Sequence, residues 1–136
     1  MVYYAVIDTN VLVSAFISKH QDSPVVKIFD LIEQGIITPV YNTEILNEYI
    51  DVLCRPKFQI PITIVEKVVS TIADCGLNSE RVKTQEPFTD KKDIVFYEVA
   101  ISKDDTFLVT GNKKHFPSKP IIVSPSEMVQ IIEGNH

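Results

Sequence analysis

Four stretches of this chain carry side chains suited to chemistry on a charged ligand. Asp8-Thr9-Asn10 follows directly on the apolar run Val2 to Ile7. Glu44 and Glu48 lie in one segment of helical periodicity, Asp90 and Asp93 open another, and Gly111-Asn112 follows the apolar stretch Thr106 to Thr110. In an open parallel sheet ligands bind at the carboxyl ends of the strands, so polar residues placed just after a strand are the first candidates. Each also has an ordinary use. Asp8, Thr9 or Asn10 suits a helix N-cap, and position alone leaves capping and catalysis level. Asp93 in a first turn suits the helix dipole, with Asp90 as the cap. At about 100° per residue, Glu48 sits at the border of its helix's apolar stripe while Glu44 points nearly away, which makes Glu48 the better inward-facing group.

A pocket of Asp8, Glu48 and Asp93 could not stay ionised without a cation, because like charges at close range raise one another's pKa. Hard oxygen ligands select Mg²⁺ or Mn²⁺, held directly or through retained waters, and such ions hydrolyse phosphodiesters by activating water. That route needs neither a nucleophilic serine nor a catalytic histidine. His20, His115 and His136 are too scattered to form a metal site. Lys113, Lys114 and His115 after Asn112, and Lys91 and Lys92 before Asp93, are placed for phosphate contact at the mouth of such a pocket, although for any single lysine loop solubility is the better explanation. Arg55 and Lys57 are more remote candidates. Nucleotide-binding readings lack a GxGxxG or a P-loop. A phosphoryl-transfer receiver or phosphatase with Asp8 as nucleophile would want a second acid at position 10, where the chain has Asn10.

The elements that must position these residues follow from the pattern. At 136 residues the chain is read as a single domain over 1–136, since domains run to about 100 to 200 residues. Its 45% apolar and 23% charged residues are globular proportions, which excludes disordered and low-complexity classes. Strands are expected at Val2 to Ile7, Ile36 to Tyr41, Thr106 to Thr110 and Ile121 to Val123, with a weaker candidate at Arg81 to Thr84. Helices are expected from Val11 to Ile17, after Ser23-Pro24, after Asn42 or Thr43, after Pro61, from Asp90 to Ile101, and after the capping box Ser124-Pro125-Ser126-Glu127. Alternation of strand and helix implies an α/β fold, a three-layer α/β/α sandwich on a mainly parallel sheet, with Asp8 and Asn112 at neighbouring strand ends.

A formal charge of −5 means that nucleic acid would be held by local basic patches or metal ions rather than by a global positive field. Cys54 and Cys75 form no CxxC and match no histidine pair, so a reduced, cytoplasmic setting is expected, without zinc or a disulfide framework. No apolar run nears the roughly 20 residues that span a bilayer, and the opening residues lack the basic region and apolar core of a signal peptide.

Taken in order, Val6-Ile7-Asp8-Thr9-Asn10-Val11-Leu12-Val13-Ser14-Ala15, Glu44-Ile45-Leu46-Asn47-Glu48-Tyr49, Arg55-Pro56-Lys57-Phe58, Asp90-Lys91-Lys92-Asp93-Ile94-Val95-Phe96 and Leu108-Val109-Thr110-Gly111-Asn112 resemble the PIN-domain family of metal-dependent ribonucleases. The Arg-Pro-Lys-Phe piece is similar to the branch regarded as toxins of bacterial toxin-antitoxin systems. The resemblance implies cleavage of single-stranded RNA with Mg²⁺ or Mn²⁺, metal ligation by Asp8, Glu48 and Asp93, and support from Thr9, Asn10 and Thr110, to which Lys113 and Lys114 are added as substrate-supporting residues by their place after Asn112. It also implies a cognate antitoxin protein and pairing as a homodimer. Where the family commonly carries a fourth acid, this chain has Asn112, a neutral ligand that would hold a second metal weakly or not at all. A catalytically weak RNA-binding or protein-binding module on the same fold is the competing expectation.

Overall fold

The computed structural model describes residues 2–18 and 22–134, so His20 and His136 lie outside the described residues. Five strands, β1 (Tyr3–Ile7), β2 (Ile37–Tyr41), β3 (Leu77–Asn78), β4 (Thr106–Val109) and β5 (Ile122–Val123), form one sheet of order β3-β2-β1-β4-β5. Every pairing is parallel. The helices are α1 (Thr9–Ile17), α2 (Pro24–Glu33), α3 (Thr43–Leu53), α4 (Ile62–Cys75), α5 (Lys91–Ile101) and α6 (Pro125–Gly134).

The helix ends form where the capping chemistry lies. Ser23 accepts the Val26 amide ahead of Pro24, and Asn42 accepts the Ile45 amide at 2.9 Å. At the end of α2 the Gly35 and Ile36 amides return to the carbonyls of Ile32 and Leu31, a Schellman ending that needs the left-handed φ of +78° at Gly35. Ser124 and Glu127 exchange bonds of 3.1 and 2.8 Å in the expected capping box.

The direction in which successive strands are added reverses at β1. The crossovers from β1 to β2 and from β2 to β3 step one way, whereas the return through α5 enters at β4 on the other side of β1. Right-handed crossovers therefore put α5 on the face opposite α2 and α4, giving the layered architecture. In keeping with this, α2 packs on β2, α4 and α6, while α5 packs on β1 and β4. The core between the layers includes Ile7, Ile28, Ile32, Ile37, Leu108 and Met128, all nearly inaccessible. The reversal leaves a crevice between the carboxyl ends of β1 and β4, the switch point at which open α/β sheets bind ligands.

One expected strand is corrected. Arg81 to Thr84 is not a strand, and the sheet edge is taken instead by Leu77–Asn78 against Val40 and Tyr41. The Thr84 amide donates to the Glu98 carboxylate at 2.7 Å and the Val82 amide to the Glu98 carbonyl at 3.2 Å, so the donors a strand would use are spent on α5.

Candidate active site

The register Ile7↔Val109 brings the ends of β1 and β4 level, and the Asp8 amide donates to the Val109 carbonyl at 2.9 Å. Asp8 therefore starts beside Thr110. It occupies the N-cap position of α1, yet its side chain makes no cap hydrogen bond. Instead the Thr110 hydroxyl donates to Asp8 Oδ2 at 2.7 Å, and that hydroxyl in turn accepts the Asn112 amide at 3.0 Å. The relay fixes one oxygen of a carboxylate that is only 7% exposed. Burial raises its pKa above the ordinary aspartate value, opposed by Thr110, by the Thr9 and Asn10 amides and by His115.

α3 carries Glu48 to the same region, with a side chain 22% exposed beside the much more open Glu44. Its neighbour Tyr49 is fully buried and donates to the Ile7 carbonyl at 2.5 Å, which pins α3 to the last residue of β1. Burial and the nearby Asp8 push the Tyr49 phenol upward, so it stays a neutral donor. Asp90 caps α5 through the Lys92 amide at 2.9 Å, leaving Asp93 free of that duty. Burial, then Asp8, Asp90 and Glu48, drive the Asp93 carboxyl up to about 6, against the opposing pull of His115. Glu48 is likewise raised, first by burial, with Lys92 and Arg55 opposing and Asp51 and Asp8 reinforcing. Asp8 thus acts electrostatically on Glu48, and both act on Asp93, at the switch point.

A hydrated hard cation suits this donor set. Mg²⁺ is commonly held by one or two carboxylates with waters completing its octahedron, and positive charge would favour the ionised form that burial disfavours at all three acids and that neighbouring acids further disfavour at Glu48 and Asp93. Among the described residues no group of three or more His, Cys, Asp or Glu side chains is close enough to clasp an ion directly. Simultaneous direct ligation by three acids is therefore not the arrangement present among the described residues.

The supporting residues divide. Thr110 holds Asp8 rather than facing a ligand, and Thr9 is buried with a hydroxyl that lacks a partner. Asn10 is exposed on α1. Lys92 lies 3.9 Å from Glu48, and His115 lies 3.8 Å from Asp93. Lys113 is bonded to Glu127 at 2.8 Å, which draws it toward α6, while Lys91 and Lys114 are exposed. Arg55 pairs with Asp51 at 3.5 Å, and Lys57 stands over the Phe58 ring. Sequence reasoning missed Tyr49 and Glu98. The signal available was a hydrogen-bonding group on an otherwise apolar helical face, which must find a buried partner.

No curated protein and no solved structure matches the chain. A family model described as PIN domain matches residues 4–114, a span that includes Asp8, Glu48, Asp93 and Asn112 together with the β1 and β4 ends that frame the crevice. The chain accordingly belongs to the PIN-domain family, whose members are generally nucleases that use divalent metals.

Proposed function

We propose that this protein is a metal-dependent endoribonuclease that cuts single-stranded RNA, acting in the cytoplasm as the toxin of a toxin-antitoxin pair and restrained there by a cognate antitoxin. The observation that carries the catalytic part is the buried Asp8 carboxylate, held by Thr110 within electrostatic reach of Glu48 and Asp93. Mg²⁺ or Mn²⁺ bound there would supply an activated water and neutralise charge developing on the phosphate. Asp8 presents its carboxylate at a fixed angle because the Thr110 hydroxyl, itself oriented by the Asn112 amide, holds one oxygen. Glu48 and Asp93 add negative potential from the two flanking helices. Lys92 and His115 border the acids, Lys114 precedes His115 in the chain, and all three suit contacts with RNA phosphates. The toxin role and pairing as a homodimer rest on the resemblance of the Arg55-Pro56-Lys57-Phe58 piece and its neighbours.

The test is cleavage of a labelled single-stranded RNA with Mg²⁺, Mn²⁺ or chelator, by wild type and by Asp8→Asn. Cleavage that requires the cation and disappears in Asp8→Asn is expected. A second reading, a module that binds RNA or protein without cutting, is favoured by Asn112 in place of an acid and by the lack of a direct three-acid clasp among the described residues. RNA that stays intact under every cation while still being retained by the protein would establish that reading and overturn the first.

A further inference from the structure

We infer that Arg81 is a positioning residue: its guanidinium ties α3 to α5 and so sets the separation of Glu48 from Asp93. This inference rests on the proposed catalytic site. Arg81 lies in the irregular segment between β3 and α5. Its Nε and Nη2 reach Glu98 Oε1 at 2.7 and 2.6 Å, while Nη1 reaches both oxygens of Glu44 at 3.1 and 2.9 Å. Glu44 is one helical turn ahead of Glu48 on α3, and Glu98 lies on the same helix as Asp93. A single side chain therefore links the two helices that carry these candidate acids.

The surroundings agree with a spacer. Between α3 and α5 lies a cleft of about 140 Å³ lined by Glu44, Glu48, Lys92, Val95 and Phe96. Glu44, which accepts from Arg81, lines it together with Glu48 and the Lys92 that approaches Glu48 more loosely. The anchor on α5 is firm. Glu98 is only 7% exposed and also accepts the Thr84 amide at 2.7 Å, which locks the segment carrying Arg81 onto the helix. Burial pushes the Glu98 carboxyl upward, but the Thr84 amide and Arg81 outweigh it and hold the group below the usual glutamate range, ionised at neutral pH. The far contact, with the exposed Glu44, is the one that reaches α3. A planar fork of fixed geometry can hold two carboxylates at a set separation, whereas a lysine ammonium on a flexible stem cannot.

An exposed ion pair contributes little to stability, typically about 0 to 1 kcal/mol, so a positioning role separates from a stabilising one in Glu44→Ala. Spin labels at Asn47 on α3 and Lys91 on α5, in a chain with Cys54 and Cys75 replaced by serine, read the helix separation without any metal. A narrow distance distribution is expected for the parent chain, broadened or displaced in Glu44→Ala and in Arg81→Lys. Melting temperature should stay near wild type in Glu44→Ala. Calorimetry with Mn²⁺ alone should show affinity lowered about tenfold, the scale of an outer-shell partner. On RNA the loss should fall on kcat rather than KM. Unchanged distance distributions in both variants overturn the inference whatever the chemistry, and so does a broadened distribution with wild-type Mn²⁺ affinity and kcat. A wild-type chain that binds no Mn²⁺ and cuts no RNA overturns the proposed function instead, while the metal-free distances still decide whether Arg81 spaces the helices.

Discussion

Replacing Asp93 by asparagine should stabilise the metal-free protein at neutral pH, although it removes a residue assigned to the site. Burial first, then Asp8, Asp90 and Glu48, raise the Asp93 carboxyl from 3.8 to about 6, with His115 opposing. Below pH 3.8 it is protonated in both folded and unfolded chains and costs nothing. As pH rises toward 6 the unfolded chain has released its proton while the folded chain still holds one, so stability falls through that window and levels off above it. Two pH units correspond to an upper bound of about 3 kcal/mol at about 1.4 kcal/mol each. The side chain is 19% exposed, and solvent screening brings the expected gain for Asp93→Asn down to about 1 kcal/mol. For a chain of this size that is a rise of about 4 °C in melting temperature. Thermal melts in chelator at pH 7.5 and pH 4 provide the check, with the gain present at the first and shrinking to a fraction at the second. Mn²⁺ should then favour wild type, since ligand at about 100 times Kd adds about 2.7 kcal/mol to the form that binds it. A variant no more stable than wild type at pH 7.5, or equally advantaged at pH 4, would refute the claim that burial and the neighbouring acids disfavour the ionised Asp93 carboxylate in the folded chain.

Tyr49→Phe leaves the buried Ile7 carbonyl without its donor and should cost about 1 to 3 kcal/mol in urea denaturation, with Mn²⁺ affinity falling as α3 loosens from β1. Gly76→Ala would set a Cβ 2.4 Å from the Ile72 carbonyl oxygen and 2.5 Å from that of Pro39, both backbone atoms, so a loss of about 3 kcal/mol or more is expected by the same assay. Asn112→Asp adds a charge beside the Thr110 relay, and calorimetry should show tighter Mn²⁺ binding, with faster RNA cleavage if a second ion is limiting. Unchanged stoichiometry and rate would remove position 112 from that role.

Much of the fold was legible in the chain because its signals are local. Apolar runs ending in polar residues marked β1 and β4, and Ser23-Pro24, Asn42 and the Ser124 to Glu127 box marked helix starts through bonds that span three residues. Alternation of these elements then implied parallel pairing. Helical periodicity likewise separated Glu48 from Glu44, since a residue's direction around a helix depends on the helix alone. What tertiary structure decided was every relation that joins distant residues. Whether Asp8 capped α1 or faced the crevice turned on Thr110, 102 positions away, whose hydroxyl competes for the carboxylate. The stretch Arg81 to Thr84 has strand-like residues, but its donors found Glu98 on α5, a partner that no local pattern announces. The electrostatic state of Asp93 is set first by burial and then partly by Asp8 after β1 and Glu48 on α3, which a one-dimensional reading can name but cannot bring together. Propensity and capping act over a helical turn or a strand's width, whereas desolvation and charge coupling depend on distances that only the folded chain defines.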